Sequence, residues 1–203
     1  KRVVKNSNIL RTITSSSFFD AIFGSIKDYI QPILAGLITA FTLSTIINLD
    51  EKQTLKISLA VVYTMIYLIS AYASKNVYKL NTKRTSSLLM KVTMNILAFT
   101  SILIAVSVKF NFISLVVLSF FFLFVLKNLR RPIFVDVIGD LMDKDQRATV
   151  LSVENQMTGI FIIVFAPVFG FIADNFSFVT LFFFIGIFAF MINLFVKVPE
   201  SAK

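Results

Sequence analysis

Charged residues are absent from six long stretches of this 203-residue chain. Each stretch holds about 17 to 22 residues, which an α-helix needs to cross a hydrocarbon layer about 30 Å thick. The stretches are uncharged on every side, unlike surface helices of soluble proteins, which carry an apolar stripe beside a charged face. The membrane spans that we predict cover about 29–49, 57–74, 89–108, 111–138, 148–173 and 176–197.

These spans are predicted to be helices rather than strands of a membrane barrel. Barrel strands alternate apolar and polar residues over about 10 positions, whereas the run Phe120–Leu126 is apolar throughout. The connections that face away from the chain termini are short, so consecutive helices become antiparallel neighbours. We therefore expect an all-α integral membrane protein with six transmembrane helices in one bundle over residues 18–203.

The first 17 residues are polar, basic and rich in Ser, Thr and Asn, which predicts the end of a cytoplasmic loop. Because the chain opens on Lys1 rather than Met, we expect it to be part of a longer protein. Ser17 and Asp20 fit a helix N-cap box. The apolar residues that follow at helical spacing favour an amphipathic surface helix that continues into the first span and bends at Pro32. A plain extension of that span is the alternative.

The composition excludes several kinds of chemistry. The chain has no His and no Cys, so zinc fingers, disulfides, thiol nucleophiles and a His general base are all impossible. It is 57% hydrophobic and 15% charged, whereas soluble proteins are about 25% charged. We expect no catalytic residues, no metal and no cofactor, and we expect that the protein is not an enzyme.

The positive charge predicts how the chain is oriented in the membrane. The formal net charge is +9, and of the 20 Lys and Arg residues all but Lys52, Lys56 and Lys109 lie on the side of the termini. Basic residues are retained on the cytoplasmic side. Both termini are therefore predicted to be cytoplasmic, in a bacterial inner (plasma) membrane. The basic residues are divided among four short segments, which favours contact with anionic lipids and not with nucleic acid.

Polar residues in a membrane span usually face the bundle interior or a water-filled cavity. They are most frequent in the predicted first, second, fourth and fifth spans. The side chains concerned include Gln31, Tyr63, Tyr67, Asn155 and Gln156. These four spans are predicted to line a cavity, whereas the sixth is predicted to face lipid.

The fourth span ends in a basic cluster that has two interpretations. Lys127, Arg130 and Arg131 lie at the membrane interface and extend towards water if the helix stops there. The apolar helical pattern continues for three more turns, however. In a long, tilted helix Lys127 and Arg131 are turned inward, towards an anionic substrate or towards carboxylates on other helices.

The charge-free interiors of the spans contain no carboxylate that could carry a proton. Asp136, Asp140 and Glu154 are predicted to lie near the cytoplasmic mouth. We favour salt bridges between these carboxylates and nearby arginines over a role in proton transfer.

Three segments resemble the tenth and eleventh helices of a major facilitator superfamily transporter. They are the motifs in 128–132 (Asn-Leu-Arg-Arg-Pro), 147–152 (Arg-Ala-Thr-Val-Leu-Ser) and 166–174 (Ala-Pro-Val-Phe-Gly-Phe-Ile-Ala-Asp). The resemblance implies that the chain is the C-terminal half of a twelve-helix protein and that residues 1–17 end its central cytoplasmic loop. It also implies a missing N-terminal half as partner, and alternating access around a central site.

The resulting hypothesis is a secondary active transporter of a small solute. The expected substrate-binding residues are Arg131, Lys127, Asn128, Tyr63, Tyr67, Gln31, Asn155 and Gln156. The expected cytoplasmic gate consists of Arg147, Asp140 and Glu154.

Two other classes of membrane protein are alternatives. The membrane domain of an ATP-driven exporter also has six spans, but its helices extend far into the cytoplasm, and this sequence has no phosphate-binding Gly-rich loop. An intramembrane enzyme needs a nucleophile or metal ligands within the spans. The spans contain no His, no Cys and no pair of Asp residues.

Overall fold

The described part of the chain is helical in a computed structural model, which describes residues 6–40, 51–76, 86–142, 144–196 and 198–199. Helix accounts for 94% of these residues, and none of them lies in a strand. The elements are α1 (Ser7–Ile26), a 3-10 turn (Lys27–Tyr29), α2 (Ile30–Ala40), α3 (Glu51–Asn76), α4 (Ser86–Lys109), α5 (Ile113–Leu141), a second 3-10 turn (Lys144–Gln146), α6 (Arg147–Asn175) and α7 (Phe178–Phe195).

Four of the described helices, α4 to α7, are long and apolar enough to cross a membrane. They coincide with the predicted third to sixth spans, apart from small differences at their ends and residue 197, which lies outside the described residues. The predicted second span lies inside α3, where a shorter apolar segment covers Leu59–Leu68. The predicted first span is described only as far as Ala40, and its residues 41–49 lie outside the described part. A count of six spans therefore stays a prediction.

Helix α1 begins earlier than the sequence predicted. Its N-cap is Asn6, whose side chain accepts a hydrogen bond from the backbone N–H of Asn8. The helix starts at Ser7, so the prediction of a start at Ser17 is wrong, and the predicted boundary between residues 17 and 18 falls inside α1. Residues 1–5 of the predicted loop lie outside the described residues. Serine favours caps and turns in isolation, but the serines at 15–17 find partners on other helices.

Helix α1 is also not a surface helix, because it packs against α5, α6 and α7. Phe19, Ile22 and Ile26 are fully buried in the main apolar core. The predicted amphipathic helix on the membrane surface is therefore wrong in its placement: α1 is a member of the bundle.

The α-helical geometry is interrupted between α1 and α2 by the 3-10 turn Lys27–Tyr29. Pro32 follows within one turn. A proline has no N–H to donate to the carbonyl four residues before it, and its ring crowds that carbonyl. This carbonyl belongs to Asp28, which lies in the 3-10 turn. The interruption therefore lies at the place where Pro32 was predicted to bend the helix.

Helices α4 and α7 pack closely along each other. Gly186 allows this approach: a Cβ atom at that position would lie 2.5 Å from Cγ1 of Ile102 and 2.9 Å from the carbonyl oxygen of Ala98. Close contact through small residues is the usual way in which helices associate in lipid, where no hydrophobic effect draws them together.

Two apolar clusters make up the described core. The larger contains Phe19, Leu126 and Phe165, and the smaller contains Ile13 and Ile133. Along α1 and α5 the two clusters are separated by a few polar or charged positions. The bundle therefore has a polar layer between two apolar ones.

Candidate functional site

This polar layer is built from four helices, and we call it the charged layer. Its members are Ser15, Ser16, Ser17 and Asp20 of α1, Thr93 of α4, Lys127, Arg130 and Arg131 of α5, and Glu154 of α6. The three cations lie just before Pro132 in the long helix α5, which continues through this proline without a break. The layer joins helices that lie far apart in sequence.

Arg130 is 1% exposed and is held from three sides. Its Nη2 donates to the carbonyl oxygen of Ser15 at 3.0 Å and to Oγ of the same serine at 3.1 Å. Its Nη1 donates to the carbonyl oxygen of Met90 at 2.7 Å and to Oγ1 of Thr93. The guanidinium carbon lies 4.4 Å from the ring centre of Phe19, within the range of a cation–π contact. Arg130 thus clamps α1, α4 and α5 together.

The adjacent Arg131 forms an ion pair across to α6. Its Nη1 lies 2.6 Å from Oε2 of Glu154, whose side chain has no exposed surface. The other carboxylate oxygen accepts a hydrogen bond from Oγ of Ser16 at 3.1 Å, and Ser17 donates to the backbone carbonyl of Glu154 at 3.1 Å. The predicted salt bridge between an arginine and Glu154 is confirmed. Glu154 is fully buried between helices, and its predicted position near the cytoplasmic mouth stays a prediction.

A second ion pair joins α5 to α1. Nζ of Lys127 lies 2.6 Å from Oδ2 of Asp20, and their side chains are 30% and 12% exposed. The inward interpretation of the basic cluster therefore describes the structure, and the inward cations meet carboxylates on other helices. The N-cap box placed Asp20 in the first turn of a surface helix, and that expectation is wrong.

The sequence did contain a signal for Asp20. It is a single carboxylate among Phe18, Phe19, Ile22 and Phe23, and isolated carboxylates in apolar helices usually have a buried partner. If residues 1–17 form a loop, Asp20 lies in the first turn of a surface helix, where a carboxylate is common. The prediction of a loop therefore gave no reason to expect a buried partner for Asp20.

A cavity of about 310 Å³ opens two helical turns along α1 from Asp20. It is lined by Lys27, Asp28, Gln31, Tyr63, Tyr67 and Phe124. Three of these, Gln31 and the two tyrosines, were predicted to bind substrate, and the structure brings them together. Lys27, Asp28 and Phe124 were not predicted.

The cavity wall is formed by three aromatic rings. Tyr63 and Tyr67 stack with ring centres 6.4 Å apart, and Phe124 meets both edge-on at 6.3 and 6.2 Å. Gln31 Nε2 donates to the hydroxyl of Tyr63 at 3.4 Å. Phe124 is three positions before Lys127, which places the cavity and the charged layer on one face of α5.

The other predicted site residues lie elsewhere. Asn128 donates to the carbonyl oxygen of Phe124 in its own helix at 3.0 Å. Asn155 and Gln156 are exposed on α6 and do not line the cavity.

The three residues of the predicted gate have different surroundings in this structure. Glu154 bonds Arg131 and Ser16, while Arg147 is exposed at the start of α6 and Asp140 is half-buried near the end of α5. Asp136 accepts a hydrogen bond from Oγ of Ser86 at 2.7 Å. In the part of the chain that is described, no three acidic side chains come together as a metal site.

Comparisons with protein-family models, with curated proteins and with solved structures find no match to this chain.

Proposed function

We propose that this chain belongs to a secondary active transporter that moves a small solute by alternating access. The observation that carries the proposal is the charged layer, which lies inside a bundle in which four described helices are long and apolar enough to cross a membrane. In this proposal the chain is the C-terminal half of a protein of the major facilitator type. Both termini lie in the cytoplasm, and the membrane is the bacterial plasma membrane.

The energetic cost of the charged layer favours a function over a purely structural role. A charge near the middle of a membrane helix costs about 2.5–3.5 kcal/mol on insertion scales, and five charged side chains meet here. Buried ion pairs often stabilise a protein no better than apolar side chains of the same volume. Ionisable groups inside a membrane bundle typically line pathways for substrates or ions.

The two ion pairs differ from Arg130 in a way that supports movement. Both terminal nitrogens of the buried Arg130 donate to backbone and hydroxyl oxygens of two other helices. In contrast, Lys127 and Arg131 each keep about a third of the side chain exposed, at 30% and 38%. In the proposed cycle these two cations exchange partners while Arg130 holds the bundle together.

The exposed surfaces of the bundle fit the proposed partners. The apolar face of α7, including Ile187, Leu194 and Phe195, is exposed and would face lipid. The exposed sides of α3 and α6, including Tyr67 and Ile163, would face the N-terminal half across the central cavity. The solute would bind in the aromatic cavity, which the 3-10 turn Lys27–Tyr29, α2, α3 and α5 line.

Cysteine accessibility tests alternating access without knowledge of the solute, because this chain has no Cys of its own. Ser152 and Ala166 are exposed on α6 and about 21 Å apart at 1.5 Å per residue. Single variants Ser152→Cys and Ala166→Cys of the full-length protein are reacted with a membrane-impermeant maleimide in oriented vesicles. The unsubstituted protein gives the background.

Adding Glu154→Gln to each variant weakens the ion pair with Arg131 and is expected to change the two labelling rates in opposite directions, each at least threefold. The matched control is Asp145→Asn, which removes an exposed carboxylate at the start of α6. Rates that change together, or that do not change, would contradict alternating access. No labelling at either position would contradict a water-filled cavity beside α6.

A further inference from the structure

The aromatic cavity carries one positive and one negative side chain. We propose that it binds a small zwitterion with an apolar side chain, of the class of the apolar α-amino acids. The proposal rests on the transport function proposed above for its physiological meaning, but the binding site itself can be tested separately.

Among the described residues, the two charges of the cavity pair with each other and with no other charged side chain. Nζ of Lys27 lies 2.8 and 2.7 Å from the two carboxylate oxygens of the adjacent Asp28. Their side chains are 40% and 67% exposed. Exposed ion pairs contribute little to stability, so these two groups can exchange each other for a ligand at low cost.

The balance of charge selects the class of ligand. Among the described residues that line the cavity, Lys27 and Asp28 are the charged ones, and their charges cancel. A ligand with one charge forms an ion pair with one of these two residues and leaves the other without its partner. A zwitterion replaces one ion pair by two, its ammonium binding Asp28 and its carboxylate binding Lys27.

The remaining walls select the side chain of the ligand. Tyr63, Tyr67 and Phe124 present aromatic surface, which suits an aliphatic or aromatic group. Gln31 and the Tyr63 hydroxyl add hydrogen bonds at the polar end. The volume of about 310 Å³ is large enough for one small solute.

The helix break explains why these charges are available. Lys27 and Asp28 belong to the 3-10 turn that precedes Pro32, seven positions beyond Asp20. They lie on the same helical assembly as the charged layer but do not join its ion pairs. Lys127 is already paired with Asp20. Lys27 and Asp28 therefore remain as the ion pair of the cavity.

Three probes with the same phenyl group test the proposal: L-phenylalanine carries both charges, phenethylamine only the ammonium, and 3-phenylpropionate only the carboxylate. Binding to the full-length protein in lipid nanodiscs is measured by calorimetry. We expect phenylalanine to bind at least tenfold more tightly than either of the others. Equal affinity for all three, a preference for a singly charged probe, or no binding of phenylalanine would overturn the proposal.

Two variants then reverse the preference. Lys27→Met leaves Asp28 and is expected to favour phenethylamine, whereas Asp28→Asn leaves Lys27 and is expected to favour 3-phenylpropionate. Lys109→Met and Asp145→Asn remove one exposed charge each outside the cavity and should keep the wild-type order. A structural role of the pair predicts equal weakening of all three probes, and that result would overturn the assignment of the two charges.

The outcomes separate this site from the transport proposal. The expected probe order together with unchanged cysteine labelling overturns transport but keeps the zwitterion site. Reciprocal labelling without binding of phenylalanine keeps transport and overturns the zwitterion site.

Discussion

Arg131 and Glu154 form a 2.6 Å ion pair whose two members differ in exposure: the side chain of Arg131 is 38% exposed, and that of Glu154 is completely buried. Removal of either partner therefore has different consequences. Without Arg131, the carboxylate stays buried with Ser16 as its remaining side-chain partner. Without Glu154, Arg131 can turn towards its exposed side.

We expect Arg131→Met to lower the free energy of unfolding by about 3 kcal/mol, because it leaves a buried charge without compensation. Glu154→Gln keeps a polar group next to Ser16 and should cost about 1 kcal/mol. The double variant should recover part of the loss from Arg131→Met. Circular dichroism during SDS titration in mixed micelles measures these changes. Arg147→Met, on an exposed arginine, is the control, and equal losses for the two single variants would contradict the asymmetry.

Substitution by lysine should change the stability of the protein differently at Arg130 and at Arg131, which are neighbours in α5. Arg130→Lys cannot reach Ser15 and the α4 oxygens at once, because Lys lacks the planar fork of donors. We expect a loss of about 2 to 4 kcal/mol of unfolding free energy. Arg131→Lys keeps a cation near Glu154 and should cost less than about 1 kcal/mol. The same titration compares them, and a larger loss for Arg131→Lys would show that the clamp is misassigned.

Gly186→Ala should weaken the packing of α4 against α7. The added Cβ would lie 2.9 Å from the carbonyl oxygen of Ala98, which is backbone and cannot move aside easily. We expect a loss of about 1 to 3 kcal/mol. Gly159→Ala is the matched control, since no atom lies within 4 Å of its Cβ position, and it should be neutral or stabilising by up to about 1 kcal/mol. Equal stability of the two variants would contradict the tight contact.

The predicted orientation can be tested with two exposed positions at opposite ends of α5. Phe110→Cys lies just before this helix and Asp145→Cys just after it. If the termini are cytoplasmic, an impermeant maleimide should label Phe110→Cys from outside intact cells, whereas Asp145→Cys should react only in inverted vesicles. The reverse pattern would show that the charge distribution misassigned the orientation.

Much of the fold could be predicted from where charges are missing. The gaps that correspond to α4 and α7 predicted those helices to within a few residues, because long apolar segments have few alternatives to helix in a membrane. The sequence did not predict the N-terminal half of helix α1. Its serines are common in loops, and nothing local to 7–17 indicates that they bond Arg130 and Glu154 on other helices.

The sequence predicted some of the residues that line the cavity but not all of them. Polarity within the spans correctly selected Tyr63, Tyr67 and Gln31 as neighbours of a cavity. It could not select Lys27 and Asp28, because charged residues at the edge of a predicted span are usually interfacial. Nor could it place Asn155 and Gln156 away from the cavity, since the rotation of α6 depends on which of its faces packs against α1.

The sequence by itself determined a helical, membrane-suited chain without His or Cys chemistry, because hydropathy and composition are sums over residues and need no partners. Only the tertiary structure decided which carboxylate meets which cation. Asp20 and Lys127 are 107 positions apart in the chain, and their contact at 2.6 Å depends on the packing of α1 against α5. Such a pairing is a property of helix rotation and register, which no local pattern specifies.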